Sequence, residues 1–294
     1  QAHRQQRTRN HGGLSQMLKQ RVITALVLLA LLLPALLADT AEPLAGLTLV
    51  LIAAGAWEWG RLNGFAMRGS LRVAAVCVML CLYAWSARWA YQAPANVWTI
   101  TGAAWVLVAA WLIRHGVERW ATISRALRLV VGVLALWLTW LAMYQAKVIG
   151  MNFLLSVLFL VWMADIAAYF SGRAFGQRKL ASAISPGKSW EGVWGGMVGV
   201  LLMAGVWIWI DTQYAVDSPS LFTRLYSRGA PFLVLATVFL TLMSVAGDLV
   251  ESLVKRSAGI KDSSQLLPGH GGVLDRVDAL LPTLPLALML AQSV

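Results

Sequence analysis

Long runs of apolar residues, separated by short polar connections, dominate the chain. A transmembrane helix needs about 20 mostly apolar residues. Such helices are predicted near 20–38, 43–60, 71–90, 96–113, 126–145, 150–170, 192–210, 230–248 and 279–293. The last segment carries Pro282 and Pro285, which leaves its limits open. The pattern predicts an all-α, polytopic integral membrane protein with about nine transmembrane helices.

Composition supports a membrane protein. The 294 residues are 59% hydrophobic and 13% charged, whereas soluble domains carry about 25% charged residues. The two cysteines, Cys77 and Cys81, lie in one apolar segment. They are expected to be small buried side chains, since they form neither a disulfide framework nor a zinc motif.

The basic residues predict the orientation of the chain in the membrane. With a cytoplasmic N-terminus, most of the 24 lysines and arginines fall on cytoplasmic loops. The exceptions are Arg88, Lys147, Arg224 and Arg228. The net charge of +11 therefore indicates topology and attraction to anionic membrane lipids. Nucleic acid is not an expected partner, because the basic residues are scattered over short loops.

Three parts are predicted along the chain. Residues 1–16 are a polar leader, expected to be disordered or non-native and excluded from functional interpretation. Residues 17–150 form the N-terminal transmembrane helices. Residues 151–294 form a C-terminal transmembrane catalytic region with cytoplasmic loops 171–191 and 249–278. In the N-terminal part, Glu58 is either a carboxylate at the membrane interface between Trp57 and Trp59, or a minor part of the site.

Charged residues crowd the stretch 247–278 between apolar segments. A charge held near lipid is costly, so such a cluster indicates a functional site at the cytoplasmic membrane face. Asp248, Glu251, Ser252 and Lys255 share one helical face. That face is either a solvated helix end with a Glu251–Lys255 ion pair or the wall of a cavity. Asp248 directly follows an apolar run, which favours a functional role.

The glycine-rich turn 268–272 indicates phosphate binding. Glycines allow positive φ, and the successive N–H groups of Gly271 and Gly272 can bind an anion. We expect His270 to contact phosphate rather than a metal. Asp275 and Asp278 either cap the next helix or hold Mg²⁺ together with Asp248.

A second polar segment, 185–192, offers Ser185 and Lys188 as phosphate contacts. It is not a P-loop, because Ser182 occupies a required glycine position. Small-residue pairs then follow, Gly192 with Gly196 and Gly195 with Gly199, and these predict close helix packing. Asp165, inside the sixth apolar segment, should face the bundle interior and orient a group of the site.

The polar residues of 252–278 resemble a family signature. The pattern is Ser252-x-Val254-Lys255-Arg256-x4-Lys261-Asp262-x-Ser264-x2-Leu267-Pro268-x-His270-Gly271-Gly272-Val273-x-Asp275-Arg276-Val277-Asp278. It is similar to the signature of phosphatidate cytidylyltransferases, also called CDP-diacylglycerol synthases. The segments around Asp165 and 185–192 also resemble this family, and the first half does so mainly through its hydropathy.

The resemblance implies an enzyme that converts CTP and phosphatidic acid to CDP-diacylglycerol and pyrophosphate. It implies Mg²⁺, with a second cation left open, a homodimer, and a multi-pass place in a bacterial-type inner membrane. The implied metal ligands are Asp248 and Asp275, with Asp278. The implied catalytic residues are Asp248, Asp275, Lys255, Arg256 and Asp165. The implied substrate-binding residues are Ser185, Lys188, Ser252, Lys261, His270, Gly271, Gly272 and Arg276.

Two alternatives remain at this stage. A related transferase could use another membrane acceptor, because the polar motifs describe mainly the nucleotide and metal. A cation or phosphate transporter would distribute ionisable residues across the bilayer. Here they gather at the cytoplasmic end, which disfavours transport.

Overall fold

The computed structural model describes residue 20 and residues 22–292. Its helices are α1 Val22–Leu37, α2 Glu42–Leu62, α3 Met67–Ser86, α4 Ala95–Thr122, α5 Arg125–Ile149, α6 Met151–Phe175, α7 Trp190–Gln213, α8 Leu221–Tyr226, α9 Ala230–Ser257, α10 Leu274–Val277 and α11 Leu280–Ala291. Within this part of the chain, 7 helices are long and apolar enough to cross a membrane, namely α2 to α7 and α9. The prediction of an all-α polytopic membrane protein is confirmed. The predicted leader 1–16 lies outside the described residues.

Among the described residues, the first and last predicted spans correspond to helices shorter than a full span. The helix α1 is a shorter apolar helix over its described residues. The helix α11 has 12 residues, a length of about 18 Å, against a hydrocarbon core of about 30 Å. It packs against α4, α5 and α9, and Leu284, Leu286 and Leu288 are fully buried. The apolar run that predicted a ninth span thus includes a helix enclosed by protein. The prediction misses this because hydropathy does not distinguish a helix surrounded by protein from one surrounded by lipid.

The helix α9 extends well beyond the predicted span 230–248. It continues to Ser257, so the predicted loop 249–278 begins as helix. Burial explains the extension, since Leu249, Leu253 and Val254 are buried against neighbouring helices. The polar residues between 249 and 257 therefore lie on a rigid helix, and the loop begins after Ser257.

A short β-hairpin joins α6 to α7. Its strands are β1, Lys179–Ala181, and β2, Ser185–Ser189, and they pair antiparallel with Ala181 opposite Ser185. The predicted loop 171–191 is thus largely ordered structure. Ser189 caps the N-terminus of α7, since its side-chain oxygen accepts a hydrogen bond from the Gly192 N–H at 3.2 Å. The hairpin brings Lys188 to Asp248 on α9.

The close helix packing predicted from the glycines of α7 is confirmed, and its partner is α6. A Cβ at Gly195 would lie 1.8 Å from the Ser171 hydroxyl, and one at Gly199 would lie 2.6 Å from the Ala167 Cβ. Side chains at these positions would separate the helices. The prediction for Cys77 and Cys81 is also confirmed, since both are fully buried.

Candidate active site

A cavity of 350 Å³ opens between α6, α7, α9 and the hairpin. Lys188 and Asp248 meet there, with 2.6 Å between the Nζ and Oδ2 atoms. Both side chains are partly exposed to the cavity. A cation and a carboxylate are therefore available to a ligand at the end of the bundle where the charges gather.

Two further charged residues line this cavity, Asp165 and Arg173, both from α6. Asp165 was predicted to face the bundle interior, but it is exposed and lines this cavity, within electrostatic reach of Lys188 and Asp248. Arg173 was not predicted as a site residue, because basic residues are common at the cytoplasmic ends of transmembrane helices. Its Nη1 donates a hydrogen bond to the Tyr169 hydroxyl at 3.2 Å, and Tyr169 also lines the cavity.

Asp278 is held beside Asp248 by a close approach of two segments. A Cβ at Gly247 would lie 2.5 Å from the Asp278 backbone oxygen and 2.9 Å from the Pro282 ring. Glycine thus lets α9 touch the start of α11. Burial, with repulsion from Asp248, raises the pKa of Asp278 to about 8. A cation held by both carboxylates would offset this repulsion.

Lys255 joins α9 to the segment that follows the glycine-rich turn. Its Nζ lies 2.5 Å from Glu251 Oε2 and 2.6 Å from Asp275 Oδ1. Burial opposes ionisation of Asp275, but hydrogen bonds from Lys255 and the Gly272 N–H outweigh it and lower its pKa. The predicted Glu251–Lys255 pair exists, and it is buried rather than a solvated helix end.

Glu58 anchors the loop between α9 and α10. The side chain is 0% exposed, which excludes the interpretation as an interfacial carboxylate. Its oxygens accept hydrogen bonds from the backbone N–H groups of Val273 at 2.9 Å and Leu274 at 2.7 Å. They also accept from the hydroxyls of Ser263, at 3.1 Å, and Ser264. A carboxylate of the N-terminal half thus fixes the loop that presents Asp275.

The two glycines of the turn play different parts. Gly271 has φ +84, a left-handed conformation that glycine adopts without strain. At Gly272 a Cβ would lie 1.9 Å from the Ser263 hydroxyl and 2.6 Å from Glu58 Oε1. The Gly272 N–H donates to Asp275 Oδ2 at 2.8 Å. In this structure that N–H group supports Asp275, and its contact with phosphate stays a prediction.

The remaining predicted residues lie around the cavity rather than on its wall. Arg256 Nε donates to the Ile184 carbonyl at 3.4 Å and so contacts the hairpin. Arg276 Nε donates to the His270 carbonyl at 3.0 Å, which closes the glycine-rich turn. Lys261 is exposed. Their substrate contacts stay predictions, as does that of Ser185, which is half-buried on β2.

Ser252 lies one helical turn after Asp248 on α9. Its hydroxyl donates to Asp248 Oδ1 at 3.2 Å. Because Lys188 holds the other carboxylate oxygen, the orientation of Asp248 is set from two sides. Ser252 therefore positions the carboxylate, and a direct substrate contact stays a prediction.

The donor set suits a hard cation and phosphate. Within the described range, no group of three or more His, Cys, Asp or Glu residues has the arrangement of a complete metal site. Mg²⁺ does not require one, because it takes one or two carboxylates and completes its shell with water and phosphate oxygens. Asp248 and Asp278 offer two such carboxylates, whereas Asp275 is engaged by Lys255. Lys188 and Arg173 add positive charge to the cavity.

Proteins similar to this one match most of the chain. The sequence model of the cytidylyltransferase family matches residues 19–294. A phosphatidate cytidylyltransferase of Pseudomonas aeruginosa is 38% identical over 275 residues, covering 92% of this chain and 95% of the relative. One from Haemophilus influenzae is 38% identical over 289 residues, covering 92% and 96%. One from Brucella suis is 48% identical over 125 residues, covering 41% and 40%.

The match extends over both halves of the chain and includes the polar segment 252–278. The resemblance predicted from that segment is confirmed, and the chain belongs to the cytidylyltransferase family.

Proposed function

We propose that this protein transfers the cytidylyl group of CTP to phosphatidic acid in phospholipid biosynthesis, and that it works in a bacterial inner membrane. The Lys188–Asp248 pair at 2.6 Å, in a cavity among membrane helices, carries the proposal. Lys188 can bind phosphate and Asp248 can bind a metal ion, so both functions lie side by side. The names of the relatives support the choice of substrates.

The proposed reaction needs no strong general base, because the phosphate of phosphatidic acid is already anionic. One of its oxygens forms a bond to the α-phosphorus of CTP. The bond from that phosphorus to the oxygen bridging to the β-phosphorus breaks, and its electron pair leaves with pyrophosphate. The protein's task is to bring two polyanions together in line.

The residues of the cavity are suited to that task. Lys188 and Arg173 bind phosphate oxygens and offset the negative charge that spreads in the transition state. Lys255 holds the Asp275 carboxylate, and Ser252 holds that of Asp248. These contacts keep the acidic groups in place when phosphate approaches.

Mg²⁺ fits the carboxylates present. Asp248 and Asp278 would hold it, with Asp275 as a further ligand if Lys255 releases it. When bound, Mg²⁺ would neutralise phosphate charge and polarise the reacting phosphoryl group. A second cation and a homodimer, both implied by the family resemblance, stay predictions.

The test uses purified protein with phosphatidic acid, Mg²⁺ and CTP labelled at the α-phosphate. We expect label to enter the lipid phase, and Asp248→Asn to reduce it at least a hundredfold. Asp39→Asn is the matched control, since Asp39 is an exposed carboxylate at the opposite end of the bundle. No labelled lipid from intact protein would refute the proposal. Labelling only with another acceptor lipid would favour the related transferase.

A further inference from the structure

A second cavity, which we call the apolar groove, lies between α4, α5 and α9. Its volume is 320 Å³, and nearly all of its lining is apolar. Ile100, Val108 and Leu134 line it and are exposed on the surface of the protein. Because these helices are long and apolar enough to span the membrane, the groove faces the hydrocarbon of the bilayer.

The apolar groove is separate from the candidate active site. The helix α9 stands between them, with Val245 and Asp248 on the first cavity and Val250 and Val254 on the groove. The two sets project from opposite sides of the helix. A molecule in the groove would therefore not occupy the catalytic cavity.

Two buried hydrogen-bond donors lie close together, one on the wall of the groove and the other beside it. Trp120 lines it and is 4% exposed, and its Nε1 has no hydrogen-bond partner among the described residues. The Nε of Arg128 is likewise buried and unpaired. The guanidinium carbon of Arg128 lies 5.8 Å from the Trp120 ring centre. Buried donors usually have acceptors, so this pair is suited to the oxygens of a ligand.

Length and charge indicate what kind of ligand fits. From Ile100 to Leu112 the groove follows α4 for about 18 Å, roughly half of the 30 Å hydrocarbon core. That is the depth of one lipid leaflet. Arg119, near the end of α4, and Arg125, at the start of α5, are exposed, and with Arg128 they make this end of the groove positively charged.

We propose that the apolar groove binds an anionic phospholipid, with one acyl chain between α4 and α5. Its phosphate or ester oxygens accept hydrogen bonds from Trp120 Nε1 and Arg128 Nε. The lipid lies in the leaflet on the side of the active site. Glu251 lines the groove and pairs with Lys255, so the bound chain contacts the ion-pair network that supports Asp275. This inference does not rest on the proposed catalytic activity.

The test is photolabelling of the full chain in phosphatidylcholine vesicles without phosphatidic acid or CTP. The probe is a small fraction of phosphatidylglycerol with a photoreactive acyl chain, and mass spectrometry maps the labelled residues. We expect label on the groove residues of α4 and α5. Ala104→Trp, which fills the groove, should remove that label. Ala103→Trp should not, because Ala103 is also exposed but does not line the groove.

A second variant tests the headgroup contact. Arg128→Gln should reduce groove labelling about tenfold, as expected for one charge-assisted hydrogen bond, while labelling elsewhere on the surface stays unchanged. Equal groove labelling by a phosphatidylcholine probe would mean bulk lipid only and would overturn the proposal. An unlabelled groove in monodisperse protein, or one that cross-links to a second copy, would also overturn it.

Discussion

Glu58 and Leu274 stand 216 positions apart in the chain and are joined by a 2.7 Å hydrogen bond from the Leu274 N–H to the Glu58 carboxylate. The bond connects α2, in the N-terminal half, to α10, which carries Asp275. Glu58 also accepts hydrogen bonds from Val273, Ser263 and Ser264. One carboxylate therefore holds both ends of the segment from Ser263 to Leu274.

Glu58→Gln should reduce activity more than its effect on stability suggests. Glutamine keeps one acceptor oxygen but presents an NH₂ group to donors, so some of the loop's N–H and O–H groups lose their partner. Each lost partner costs about 1–3 kcal/mol, and the displaced loop misplaces Asp275. We expect kcat to fall at least tenfold and KM for CTP to change less. Glu118→Gln, at an exposed glutamate of α4, is the control, and equal kcat in both variants would contradict this role.

Lys255→Met should destabilise the protein by about 3–5 kcal/mol, because it leaves Glu251 and Asp275 without their cation. The double variant Lys255→Met with Glu251→Gln should recover part of the loss, since one uncompensated carboxylate is removed. Chemical denaturation in detergent measures both. Additive effects of the two substitutions would show that the residues do not interact as the 2.5 Å distance indicates.

Gly272→Ala should destabilise the loop and reduce activity together. The new methyl group would lie 1.9 Å from the Ser263 hydroxyl and 2.6 Å from Glu58 Oε1. The hydrogen bonds between Glu58 and the loop must therefore break or shift. Gly205→Ala is the matched control, because nothing lies within 4 Å of a Cβ there. On α7 that change should be neutral or slightly stabilising. A thermal unfolding assay with both variants distinguishes the clash from a general intolerance of alanine.

The stability of metal-free protein should fall as the pH rises towards 9. The pKa of Asp278 is raised by burial to about 8, above an unfolded value of about 3.9. The folded state therefore holds a proton that the unfolded state releases. This contribution is complete below pH 4 and is lost as the pH passes through 8. Melting temperatures in EDTA should show the decline, and Asp278→Asn should flatten it. An unchanged slope in that variant would assign the effect to another group.

Local patterns in the sequence predict much of this architecture. Apolar runs locate the membrane helices, and helical spacing identifies the Glu251–Lys255 pair. The glycines between 192 and 199 predict close packing of α7 against another helix. Each of these signals lies within one segment, where helix geometry alone decides which residues are neighbours.

Contacts between distant segments could not be predicted in the same way. Nothing near Glu58 in the sequence shows that its partners lie after position 260, so flanking tryptophans favoured an interfacial carboxylate. The hairpin at 179–189 has no alternating apolar pattern, because it is short and carries Pro186 and Gly187. Arg173 becomes a candidate only when the cavity beside it is seen.

The hydrogen bonds from Glu58 to the loop between α9 and α10 also limit how the chain can be shortened. Residues 151–294 hold the carboxylates and lysines of the candidate site and resemble a separable catalytic module. Expressed alone, that half would keep Val273 and Leu274 but lose the group that binds both of their N–H donors. Truncated or fused versions built from it would carry every active-site side chain on a loop without its anchor, so α2 belongs in any minimal version of the enzyme.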